Sequence, residues 1–160
     1  EFAVSLKAPV VIRYPRGTEN KKIKFDKQEK IKLGKSEILT QGEDITIVAI
    51  GKMVAKAFEV KEELEKEGKT AEVINARFLK PFDEQTIINS MKKTKNIITL
   101  EDNTIIGGLA SKVEELVSKN KENNIQFKAF GLPDKFIEHG KVEELEEMYK
   151  LDAKSIAKEI

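Results

Sequence analysis

The amino-acid sequence predicts an α/β fold, a three-layer αβα sandwich on a mostly parallel five-stranded sheet with one antiparallel edge strand. Three observations lead there. From Glu37 onward, short β-rich runs alternate with amphipathic stretches of helical period, the rhythm of right-handed β–α–β crossovers. One run, Ile45 to Ile50, is almost continuously apolar and β-branched, as expected of a strand covered on both faces. Glu37 to Thr40 is short and followed at once by the turn Gly42-Glu43-Asp44, which suits an antiparallel edge joined to the next strand by a tight turn.

The elements follow in order. Phe2, Val4 and Leu6 are spaced like the end of a helix already under way, and the chain is expected to be a fragment of a longer protein. Pro9 to Tyr14, PVVIRY, reads as a strand stopped by Pro15-Arg16-Gly17, because proline removes a ladder donor and glycine permits a turn. Without the sheet neighbours of this run, residues 1 to about 34 are expected to be poorly anchored. Thr18 to Lys35 is polar and carries seven lysines between Lys21 and Lys35, the composition of an interdomain linker. The expected division is therefore 1–17, 18–35 and 36–160.

Beyond the linker, Met53 to Lys66 places Val54, Ala57, Phe58, Lys61 and Leu64 at helical spacing, with Gly68 as its stop. Thr70 to Asn75 is a strand, Asp83 is the expected N-cap of a helix to about Lys93, and Asn96 to Leu100 is the next strand. Gly107-Gly108 opens a helix over Leu109 to Lys119, and Ile125 to Phe130 is the last strand. The tail from Lys141 breaks into two short helices around Leu151-Asp152.

Composition narrows the chemistry. With 29 Lys and Arg against 28 Asp and Glu the formal charge is +1, so nucleic acid binding has no bulk electrostatic support. The absence of Cys and the single His remove thiolate nucleophiles and Cys- or poly-His metal sites. No stretch approaches the ~18 to 20 apolar residues of a membrane span, and a soluble cytoplasmic protein with no membrane partner is expected.

Open parallel sheets bind ligands at the carboxyl ends of their strands, which directs attention to four loops. Gly51-Lys52-Met53 is no phosphate-binding motif and reads as a tight turn. Arg77 with Lys80 reads as structural rather than anion-binding. Glu101 and Asp102 are neighbours in an extended segment, so they point to opposite sides and do not make a facing acid–base pair. Gly107-Gly108 frees helix N–H groups that suit an anion or, preferably, a partner subunit. His139 lies in Gly131 to Gly140, expected to be pinned by Leu132, Phe136 and Ile137, and reads as structural or interfacial.

PVVIRYPRG at 9–17, NARFLKPFDE at 75–84, ITLEDNTIIGGLASKVEEL at 98–116, GLPDKFIEHG at 131–140 and LDAKSI at 151–156 together resemble the C-terminal third of the 1-deoxy-D-xylulose-5-phosphate synthase family. The RF-x-KP-x-D and E-x-N…GG patterns are shared by transketolase-type thiamine-diphosphate enzymes, whereas RYPRG with GLPDKFIEHG is more specific to the synthases. The resemblance implies a transketolase C-terminal domain-like fold for 36–160, with 1–17 the end of a middle, pyrimidine-binding domain. It implies a homodimeric enzyme that condenses pyruvate with D-glyceraldehyde 3-phosphate, losing carbon dioxide, for isoprenoid and thiamine synthesis. Thiamine diphosphate and Mg²⁺ are the implied cofactors of the complete enzyme, held by parts outside these residues. The fragment alone is expected to bind neither cofactor and to be inactive. By the same resemblance Arg16 lies near the substrate phosphate, a role that suits a guanidinium. Two alternatives remain open at this point: the C-terminal domain of another such enzyme, a transketolase or a 2-oxoacid dehydrogenase β subunit, and a free-standing α/β assembly module.

Overall fold

The structure, a computed structural model, describes residues 1–12, 30–121 and 124–160. Five strands form one sheet: β1 (Glu37–Ile38), β2 (Ile45–Ala49), β3 (Ala71–Asn75), β4 (Asn96–Thr104) and β5 (Gln126–Leu132). Their spatial order is β1-β3-β2-β4-β5, with β1 antiparallel to β3 and every other pairing parallel. The helices are α1 (Phe2–Ser5), α2 (Met53–Lys66), α3 (Glu84–Thr94), α4 (Leu109–Lys119), α5 (Val142–Met148) and α6 (Ala153–Lys158). The predicted sandwich is therefore the observed one.

The continuous apolar run of β2 is explained by its two covers. Ile45, Ile47 and Ala49 face a core shared with Val60 and Leu64 of α2 and Ile156 of α6. Val48 faces the other core, with Ile87 and Met91 of α3 and Leu109 and Val113 of α4. Alternate side chains of a strand point to opposite faces, so a central strand with helices on both sides must be apolar at nearly every position. The exception on the α3 side is Thr46, whose hydroxyl lies 2.6 Å from that of Ser90 and 2.8 Å from that of Thr94. These groups satisfy one another within the core. α2 stops as its sequence predicts, with Gly68 at φ +78° just beyond it.

Four expectations need correction. The turn after β1 does not make a hairpin with β2; β1 crosses to β3, pairing Glu37 with Asn75. Residues 9–12, the described part of the expected Pro9 to Tyr14 strand, are not a strand, since they pair with no sheet and Val11 is 95% exposed; residues 13 and 14 lie outside the described residues. β4 runs on to Thr104 through an irregularity after Leu100, so Glu101 to Asn103 belong to the strand. Asp83 occupies the N-cap position of α3, but its carboxylate caps no backbone N–H of that helix. It turns instead to the end of the linker, accepting from Ser36 N at 3.0 Å and Lys35 Nζ at 3.3 Å.

Candidate functional site

The four loops at the carboxyl end of the sheet hold the residues singled out in the sequence. After β2, Lys52 meets the Asp102 carboxylate at 2.9 Å, both half-exposed. After β3, Arg77 adopts φ +55° and its Nη2 lies 2.5 Å from Glu37 Oε2 of β1. Both cations are thus balanced within the chain, in agreement with their structural reading.

Glu101 is the residue whose role sequence reasoning missed. Its side chain points inward and is 2% exposed, while Asp102 points out, the opposition expected of neighbours in a strand. The two carboxylate oxygens accept the first two N–H groups of α4, from Leu109 at 3.0 Å and Ala110 at 2.8 Å. A helix N-terminus carries unsatisfied donors and a partial positive charge, and here the anion that fills it is the chain's own. Gly108 makes room for it: a Cβ there would stand 2.0 Å from Glu101 Oε2. Gly131 of β5 closes the knot, since a Cβ on it would lie 2.8 Å from Ile105 Cγ2 and 3.1 Å from Glu101 Cγ. The first N–H groups of this helix are thus taken within the chain, and Gly107 N donates to the Ser111 hydroxyl at 2.8 Å. The signal for the cap was legible as a period of two: Ile97, Thr99 and Glu101 share one face of β4, the face on which α4 packs.

After β5, Lys135 Nζ stands 4.9 Å from the ring centre of Tyr149, and the Tyr149 hydroxyl donates to Glu138 at 2.5 Å. That hydrogen bond holds the Glu138 carboxyl below its ordinary range. Phe136, expected to pin this segment, is instead fully exposed, and His139 is exposed beside it. Tyr149, not Phe136, fixes the loop. Arg16, the expected phosphate-binding residue, lies outside the described residues.

Among the described residues no three His, Cys, Asp or Glu side chains group to hold a metal. Four carboxylates at this end already serve internal donors: Glu101 the start of α4, Asp102 Lys52, Glu37 Arg77, and Asp83 the linker. They do not fit a site for a diphosphate and its divalent ion. A cleft of about 300 Å³ lies at the opposite end, lined by Glu43, Asp44, Lys69, Thr94, Asn96 and others. There Asp44 accepts from Thr70 N at 2.7 Å and from its hydroxyl at 2.6 Å.

A mainly parallel sheet with an antiparallel first strand, helices on both faces and carboxyl-end loops tied by the chain's own ion pairs and hydrogen bonds defines an αβα sandwich domain. The chain belongs to the transketolase C-terminal domain family, whose model matches residues 34–156. Its sequence is similar to the C-terminal region of 1-deoxy-D-xylulose-5-phosphate synthases. It is 39% identical over 155 residues to that of Halothermothrix orenii, covering 96% of this chain and 24% of the relative. With the synthase of Clostridium tetani it shares 41% over 159 residues, 99% of this chain and 25% of the relative. The chain thus spans about a quarter of the length of the curated relatives it matches. A solved split-gene transketolase, described as an inactive β4 tetramer, superposes with a TM-score of 0.74 at 36% identity, covering 81% of this chain and 42% of that one. The transketolase of Campylobacter jejuni, at 18% identity and a TM-score of 0.55 over 78% of this chain and 18% of that one, shares the fold.

Proposed function

We propose that this chain is the C-terminal part of a 1-deoxy-D-xylulose-5-phosphate synthase, with residues 1–17 closing the middle domain, 18–35 the linker and 36–160 the third domain. The observation that carries the reading is the similarity to those synthases over nearly the whole chain at a level well above a shared fold. In this reading the complete enzyme is cytoplasmic and homodimeric and condenses pyruvate with D-glyceraldehyde 3-phosphate, releasing carbon dioxide. Thiamine diphosphate, anchored through Mg²⁺ in the preceding domains, supplies the nucleophilic carbon. The residues of this chain bind and support. Arg16 holds the phosphate of the aldehyde, where a guanidinium can donate two parallel hydrogen bonds. The third domain packs through its carboxyl-end loops, where Ile106 is 64% exposed and Phe136 fully so.

Grafting tests the assignment. A synthase from a relative whose C-terminal domain is replaced by residues 36–160 should retain product formation from the two substrates, and a transketolase with the same replacement should not; the reverse result overturns the reading. In the complete enzyme, Arg16→Ala should raise KM for the aldehyde phosphate by the equivalent of about 1.5 to 3 kcal/mol, the worth of a charged hydrogen bond, with pyruvate use touched less. Steady-state kinetics with each substrate varied reads this directly.

A further inference from the structure

The stretch Arg77 to Asp83 between β3 and α3 receives successive pieces of the chain that enters the domain. Phe2 of α1 meets Phe78 edge-on, with ring centres 6.0 Å apart. Gly34, at φ +69°, brings the linker's end so close to Pro81 that a Cβ there would stand 3.0 Å from its Cγ. Ser36 gives Asp83 both its N–H, at 3.0 Å, and its hydroxyl, at 3.2 Å, and Lys35 adds its ammonium at 3.3 Å. Glu37 pairs with Arg77. The Asp83 side chain is 4% exposed, and among the described residues its one further donor is local, the Thr86 hydroxyl at 3.0 Å.

We propose that this loop is a latch, which clasps or releases residues 34–38 as one unit while the sheet behind it stays folded, and so sets the direction from which the preceding polypeptide meets the domain. Three features carry it. The clasping contacts are polar or peripheral, and Gly34, Lys35, Ser36 and Glu37 belong to neither hydrophobic core, so they open at a smaller cost than the sheet. β1 is two residues long and pairs with β3 alone, too little to hold an edge by itself. The chain is fastened separately just beyond it: Leu39 N donates to Val73 O at 2.8 Å, the Thr40 hydroxyl donates to Ala71 O at 2.9 Å, and Val73 N donates to that hydroxyl at 3.0 Å. Opening therefore has a boundary at Leu39.

Residue-resolved amide exchange on the 160-residue chain tests the latch from two sides. Asp83→Ala removes the buried acceptor, and Gly34→Ala lifts the linker off Pro81 without touching α3. Both should speed exchange across residues 35–38 together, Asp83→Ala by roughly 10- to 100-fold for the loss of a buried polar partner, leaving Ile47, Val48 and Leu100 unchanged. Acceleration confined to the neighbours of the substituted residue would overturn the proposal. So would equal acceleration of β2 and β4 in Gly34→Ala, or residues 35–38 that exchange freely in the unaltered protein.

Discussion

At the scale of single residues, Thr99 and Gly108 give opposite tests of the α4 side of the sheet. Thr99 is fully buried, and its hydroxyl finds no partner among the described residues. Valine keeps the branched shape without the orphaned polar group, so Thr99→Val should raise stability by about 1 kcal/mol in urea unfolding. Gly108→Ala forces a methyl group into Glu101 and should cost about 1 to 3 kcal/mol by the same measurement. Acid sensitivity is also set by individual side chains. Burial disfavours the charged form of Asp83, but the donors from Ser36, Thr86 and Lys35 outweigh it and hold its pKa below the ordinary 3.8. Burial opposes and Ser155 favours the charged form of Asp152, with the same net direction. A carboxyl lowered on folding contributes stability that is complete above its unfolded pKa and lost as pH falls through the folded one. The domain should hold full stability near neutrality and lose it below about pH 4, a midpoint shift that thermal melts across pH would record. Asp83→Asn should flatten that acid limb.

At the scale of elements, the tail shows how a short helix is held. α6 has six residues, starts on an Asp152 carboxylate that accepts Ser155 N at 3.0 Å, and buries Ile156 completely against α2. Ile156→Ala should cost about 2 to 5 kcal/mol, and Asp152→Ala about 1 kcal/mol, measured by chemical denaturation. Lys56 of α2 reaches Glu146 of α5 at 2.9 Å as well as Glu59 of its own helix, which ties the preceding helix to the same face. Nearly every element of the folded domain was legible from period and punctuation, because those signals are local. What was not legible was pairing across distance. A short β run beside a turn reads as half of a hairpin, yet β1 finds its hydrogen bonds on β3, drawn there by Thr40, Arg77 and Asp83. The burial of Phe136 was misread for a related reason: an aromatic residue in a punctuated loop is drawn inward only if a core lies beneath it, and here Tyr149 takes that place.

At the scale of the whole molecule, no helix among the described residues is long and apolar enough to cross a membrane. Apolar side chains are nevertheless exposed at one end, with Ile105, Ile106 and Phe136 on adjoining loops, joined where Ile105 N donates to Leu132 O at 3.2 Å. In isolation the chain should self-associate weakly at most, because stable interfaces bury on the order of 1,200 Å² or more. Sedimentation at micromolar concentration checks this, and Phe136→Ser should weaken whatever association is seen. The loop that bears Ile105 and Ile106 leads straight into a helix start held by Glu101, whose carboxylate accepts from Leu109 and Ala110. A phosphate or carboxylate arriving at the start of α4 would have to evict a resident carboxylate that is covalently part of the strand and therefore never diluted. At the start of α4 the place where α/β sheets usually welcome a ligand has become an internal seam.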